Sequence, residues 1–263
     1  MRYIVHAMRM NLRRAAQYRS SFLMQTLAQL VMTAGDLWAV LLLLERFHAV
    51  GAWSLHEVLF FFGVMQIAFA VTEMINRGFG HFSTLIRMGS LDTMLTRPRS
   101  AMLQVVLSEA DPRRIGTVFV GGAALVIAAR GLGLSLGAAD VLLLLWACAG
   151  TVCLMMGLFM LEAVICFFSV QSTEIVNILT YGGRQACQYP ADVYADWIRK
   201  LFTFLVPVVL CLQYPVCRVL GKPLAGVTPG GWVWLTPLAG PAFFAVMSLL
   251  WRWGLRRYRS TGS

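Results

Sequence analysis

The sequence predicts an all-α integral membrane protein with six transmembrane helices and both termini in the cytoplasm. Three observations carry this. Of the 263 residues, 59% are hydrophobic and only 13% charged, with a mean hydropathy of +0.70; soluble domains carry about twice that charge. Apolar runs of membrane length recur along the chain. When these runs are threaded alternately through a bilayer, 18 of the 22 Lys and Arg residues fall on one side, as the positive-inside bias requires. That bias accounts for the net charge of +10 and leaves a nucleic-acid partner without support.

Residues 1–20 place Ile4, Met8, Leu12 and Ala15 at helical spacing, with Arg2, Arg9 and Arg13 on another face. This pattern predicts an amphipathic helix in the headgroup region; the plainer reading is a basic flank of the first span. A cleaved signal peptide fits poorly, because the apolar run that follows is too long for one. Residues 21–263 form one membrane domain, with spans at about 22–44, 58–76, 115–129, 140–168, 198–220 and 232–253. The first covers about 34 Å at about 1.5 Å per residue, enough for the hydrocarbon core. Prolines gather late in the chain. Pro207, Pro215, Pro237 and Pro241 are expected helix kinks, either as gates or as the ordinary prolines of membrane helices.

Between the second and third spans lies the longest polar interval, Gly78 to Arg114. Within it Gly89 ends one segment and Ser90 caps the next. Leu91, Met94 and Leu95 share a face, Asp92 favours the helix N-terminus, and Arg97-Pro98 stops the helix. The expectation is a short cytoplasmic amphipathic helix over Ser90–Thr96, with Leu91, Met94 and Leu95 as its contact face.

Three acids fall inside spans: Asp36, Glu73 and Glu162. An ionised carboxylate facing lipid at mid-bilayer costs about 3 kcal/mol, so each belongs against protein or a wet cavity. All three are candidates for a polar conduit. Glu73 also stands four residues before Arg77, where a local ion pair is an equal alternative. Glu162 lies close enough to the inner end to reach water. Asp36 has no cation on its own helix.

The six cysteines form no Cys-x-x-Cys pair and read as buried free thiols, not metal ligands. No phosphate-binding loop, His-Glu-x-x-His or Gly-x-Ser-x-Gly occurs, so no catalytic residue is assigned and no ATP site is expected on this chain.

Two ordered phrases carry a family resemblance. The first is Ile86-Arg87, Gly89, Leu91-Asp92, Leu95 and Arg97-Pro98. The second is Tyr189-Pro190, Tyr194, Trp197, Arg199, Pro207, Tyr214-Pro215 and Leu220-Gly221. With the six-span frame, they make the chain resemble permeases of the ABC type-2 exporter superfamily, most closely the small six-span branch of viologen- or multidrug-exporter-like permeases. Asp111-Pro112-Arg113-Arg114 fits neither phrase. The resemblance implies an efflux permease of the plasma membrane, in a bacterium the inner membrane, that forms a dimer with a second permease, identical or related. Two separate ABC ATPase subunits would bind the ATP, and the chain itself would hold no cofactor. It further implies that Gly89, Ser90, Leu91, Asp92, Met94, Leu95, Arg97 and Pro98 form the ATPase-coupling helix, and that residues 1–20 form an elbow helix. Two other classes stay open: an intramembrane lipid-modifying enzyme using Glu73, His81 or Asp92, and a non-transporting membrane anchor. The first would act without ATP; the second would tolerate loss of the intramembrane acids.

Overall fold

The computed structural model describes residues 19–47, 52–109, 111–168 and 173–258. The amphipathic helix expected over residues 1–20 lies outside the described residues, apart from its last two positions. Everything described is helix, turn or loop, save isolated bridge residues: Leu224 paired with Val227, and Trp53.

The long helices are α1 (Arg19–Phe47), α2 (Leu55–Gly80), α6 (Ile115–Gly131), α7 (Ala138–Cys166), α8 (Thr173–Ala186) and α11 (Ala239–Arg257). Short helices α3 (Phe82–Arg87), α4 (Ser90–Leu95) and α5 (Ala101–Ser108) connect α2 to α6. Short α9 (Asp196–Lys200) and α10 (Tyr214–Leu220) lie between α8 and α11. Among the described residues, three helices are long and apolar enough to cross a membrane: Leu55–Arg87, Ala138–Cys166 and Gly231–Arg257. The count rises to four if the bent pair Asp196–Leu205 and Val209–Leu220 is taken as one. The 33 residues of Leu55–Arg87 reach about 50 Å at about 1.5 Å per residue, beyond the roughly 30 Å of hydrocarbon. Its far end therefore projects and carries α4.

Helix α2 is the centre of the bundle. Val58, Phe60, Phe61, Phe62, Met65 and Phe69 are all buried on it, so it is apolar around its whole circumference. It packs mainly against α6 and α7, and α7 in turn packs against α11. The α7–α11 contact is backbone to backbone. A Cβ on Gly240 would stand 1.9 Å from the Gly150 carbonyl oxygen, and one on Gly150 would stand 2.5 Å from that of Pro237. Small residues at such crossings are what lets membrane helices gain close packing without a hydrophobic driving force. Gly240→Val is therefore expected to separate the two helices at a cost above the ~1–3 kcal/mol of ordinary overpacking, because the obstacle is backbone. Gly122→Ala, with open space around it, is the matched control. Monodispersity and thermal midpoint in detergent report the difference.

The two ends of the bundle are distinct. At one end Trp251 meets Phe79, Phe82 and Phe167, with ring centroids 5.0–5.1 Å away, beside α4. At the other, Trp53 packs on Phe61 and Lys222 reaches Glu57 at 2.8 Å and the Ala52 carbonyl oxygen at 3.2 Å. Helix α8 carries the chain from Phe168, stacked on Trp253 at the α4 end, to Asp192, which accepts a hydrogen bond from the Ala225 N–H at the Trp53 end.

Over 198–220, where a single crossing is expected, the helix is broken. The pair Asp196–Leu205 and Val209–Leu220 bends by 85° between its limbs. Its first limb starts beside Asp192, and its second ends at Lys222, so both lie at the Trp53 end. By length and composition the pair is either one broken span or a re-entrant loop. Pro207 at the elbow supplies the physical reason: it lacks an N–H, and both limbs beside it run as wide π-helical turns, Leu201–Leu205 and Val209–Gln213.

Candidate functional site

The projecting end of α2 builds the first candidate region. Met88 closes α3, and Gly89 adopts φ 65°, ψ 7°, a left-handed conformation that L side chains rarely adopt. Gly89 itself occupies the N-cap position of α4, with Ser90 as the first helical residue and no side-chain cap. The helix stops at Leu95, and Gln104 on α5 fastens that end by donating to the carbonyls of Met94 (2.9 Å) and Arg99 (3.3 Å).

The faces of α4 divide differently from the sequence expectation. Leu91 is fully buried in the core and anchors the helix to the bundle. Met94 is half-buried against the same core. The outward apolar residues are Leu95, 41% exposed, and Met88 on the preceding turn; Arg97 and Pro98 are exposed just beyond. Asp92 faces Tyr258 at the end of α11. Burial first, and then the Asp92 carboxylate, push the Tyr258 phenol above its ordinary range. Its hydroxyl has no hydrogen bond of good geometry, so the two groups meet through charge and packing.

A second region runs inside the bundle. Asp36 on α1, half-exposed, receives Arg184 of α8 at 3.2 Å, and the same guanidinium nitrogen donates to Gln66 Oε1 on α2 at 3.0 Å. Arg184 also lies over the Phe69 ring, 5.0 Å from its centroid. Further along, buried Glu73 pairs with Arg114 at 2.8 Å and stands within electrostatic reach of Arg184. Arg77 is not its partner. Asn76 between them leaves helical geometry (φ −119°, ψ 22°), which breaks the four-residue register, and Arg77 instead reaches Asp111 at 3.2 Å. Arg113 also holds Asp111. The tetrad Asp111–Arg114 thus locks the start of α6 to the kinked end of α2.

Glu162 on α7 is buried, and its Oε2 has no hydrogen-bond partner among the described residues. It and Glu73 both stand within electrostatic reach of Tyr181, whose ring packs on Phe69 (5.7 Å) and Phe159 (6.2 Å). The three acids named from sequence are therefore grouped around one helix face, that of Tyr181 and Arg184. Sequence reasoning missed both, having placed their segment outside the membrane; the signal was their i, i+3 spacing on one helix.

The remaining proline positions are less disruptive. Pro215 is in the first turn of α10, directly after the π-helical turn Val209–Gln213, and its missing N–H falls where the wide turn gives way to α-helix. Pro237 sits within a 3₁₀ turn, Gly231–Leu238, that leads into α11, and Pro241 falls in the first turn of α11. The six cysteines are free, four of them buried. Among the described residues, no cluster of His, Cys, Asp or Glu has metal-binding geometry.

An all-helical bundle with membrane-length apolar helices, acids held inside it and a short helix presented at one end defines a multi-pass membrane protein of transporter type. The family profile of ABC-2 family transporter proteins matches residues 30–262, and the chain belongs to that family. Such proteins are the membrane components of ABC transporters and generally work with an ABC ATPase. No curated protein and no solved structure matches the chain.

Proposed function

We propose that this chain is the permease subunit of an ATP-driven exporter, contributing half of a conduit that a second permease completes. Family membership over residues 30–262 is the observation that carries the reading. The absence of any phosphate-binding loop in the sequence assigns ATP to a separate subunit, and α4 at the tip of the projecting α2 is the surface offered to it.

In this reading the six spans are α1, α2, α6, α7, α8 and α11, in one domain preceded by an elbow helix, and Asp196–Leu220 is a re-entrant pair on the outer side. Arg199 and Lys200 then join the outer residues and Arg184 lies within the membrane. Fifteen of the 22 basic residues remain inside against six outside, so both termini stay cytoplasmic. The membrane is the plasma membrane, in a bacterium the inner one.

Asp36 explains why a second permease is needed. Its side chain is 40% exposed on a spanning helix, and lipid is a costly neighbour for it even when paired. A second copy, or a relative, covers that face, and the Asp36–Arg184–Gln66 cluster then borders the space between two permeases. ATP-driven closure of the ATPase pair moves α4, and the aromatic contacts of Trp251 with Phe79 and Phe82 pass the movement to α11.

The test is purification of the tagged chain from its native membrane in mild detergent. An ABC ATPase is expected to accompany it in about equal amount. Recovery of the chain alone, with no ATPase retained under crosslinking, would sink the proposal.

A further inference from the structure

The re-entrant pair carries a built pocket of about 210 Å³, lined by Arg199, Lys200, Thr203, Phe204, Val209 and Tyr214 among others. We propose that it binds the phosphate headgroup of an anionic membrane lipid, with the acyl chains lying along Phe204 and Leu205. The proposal rests on the outer placement of this pair, and is independent of any ATPase.

Size is the first argument. Pockets that enclose a drug-sized ligand measure about 300–1,000 Å³. At about 210 Å³ this one holds a headgroup but not a whole amphiphile, so the remainder of the ligand must lie outside it. The residues outside are suited to that. Trp197, Phe204 and Leu205 are exposed, Phe204 at 79%, on the same segment that supplies the cations. An apolar surface flanked by Trp and basic side chains is the arrangement of a membrane–water interface.

Charge is the second argument. Two adjacent basic residues at the outer end run against the inside bias and need a local reason. Lys222, at the same end, has one in Glu57 at 2.8 Å. Arg199 is partly neutralised by the exposed Asp196, at 2.7 Å. Lys200 is exposed and has no ion pair among the described residues. Asp192 also borders the pocket, accepting from the Ala225 N–H at 2.6 Å, so Lys200 is the cation left to meet an anion at its mouth, with two hydroxyl groups beside it. Thr203 donates to the Arg199 carbonyl oxygen at 2.7 Å, which fixes the position of its hydroxyl oxygen. Tyr214, braced against Trp232 at 5.1 Å, offers a phenol. Lys200, Arg199 and Tyr214 all line this one small volume, and ammonium, guanidinium and phenol donors match a phosphate's oxygens.

The sources of such a group are a lipid or a soluble anion, and one titration separates them. Purified protein in neutral detergent is titrated with phosphatidylglycerol, with phosphatidylcholine, and with inorganic phosphate, and bound lipid is counted by native mass spectrometry alongside the thermal midpoint. Wild-type protein is expected to retain phosphatidylglycerol over phosphatidylcholine. Lys200→Glu should weaken that retention about tenfold, on the scale of contributions from single basic residues at membrane surfaces. Lys200→Arg should preserve it, and so should Arg218→Glu, an exposed cation at the same end outside the pocket. Because Lys200 is exposed, its variants should elute as wild type does. Equal phosphatidylglycerol retention by Lys200→Glu overturns the site. Equal retention of phosphatidylcholine overturns the anionic recognition, and equal protection by inorganic phosphate overturns the lipid.

Discussion

Leu95→Asp is expected to stop transport while leaving the protein folded, inserted and paired with a second permease. The side chain is 41% exposed at the end of α4, and exposed substitutions usually move stability by less than about 0.5 kcal/mol. An apolar anchor at a protein interface is a different matter: placing a carboxylate in the groove that received it removes about 2–4 kcal/mol of binding. That corresponds to roughly a 30- to 1,000-fold loss of ATPase association, at about 1.4 kcal/mol per tenfold. The measurement is ATPase retention on the purified permease together with export from cells. Leu91→Asp supplies the contrast. Leu91 is fully buried, so that variant should fail by unfolding the α3–α5 hairpin, with loss of monodisperse protein. If Leu95→Asp exports at the wild-type rate, α4 is not where the ATPase acts. Asp92→Ala is a less clean probe, because Asp92 also meets Tyr258, and its loss alters the bundle as well as the surface.

Which leucine faces out was not legible in the sequence. A six-residue helix with Leu91, Met94 and Leu95 on neighbouring positions has an apolar stripe, but periodicity gives no sign of whether the bundle or a partner takes it. The existence and bounds of α4 were legible, because Gly89 and Pro98 act locally. The length of α2 was underestimated for a related reason: Arg77 and His81 looked like the end of a span, whereas the helix continues through a kink at Asn76 into a region that needs no apolar surface.

The bend between Leu205 and Val209 was hidden by composition. Ile198–Leu220 is as apolar as a span, and only Pro207 marks the place where it breaks. Helix α8 was hidden for the opposite reason. Glu174, Asn177 and Arg184 give it a polar look, and the partner that takes Arg184, Asp36, lies 148 residues away. Intramembrane ion pairs between distant helices leave no local pattern, so Asp36 could be read as needing a partner but not which one.

That pairing yields the second large effect. Arg184→Met is expected to destabilise the protein by about 1–2 kcal/mol, the scale of a lost charge-assisted hydrogen bond whose carboxylate is 40% exposed. The cost arises from the Asp36 carboxylate, which is left without its cation, and not from the lost attraction alone. Replacing both, Asp36→Asn with Arg184→Met, removes the stranded charge and should restore most of the thermal midpoint, since apolar or neutral replacements of a whole buried pair are often close to neutral. Non-additivity of this size between residues on α1 and α8 requires the contact seen between them. A single variant as stable as wild type would mean that Asp36 finds water without Arg184. Export then separates structure from function. If the cluster borders the conduit, the stable double variant should export at least about tenfold more slowly than wild type, because an aqueous path that has lost its charged lining is costlier for a polar cargo to cross. Full export by the double variant would assign the pair to holding α1 against α8 and to nothing more.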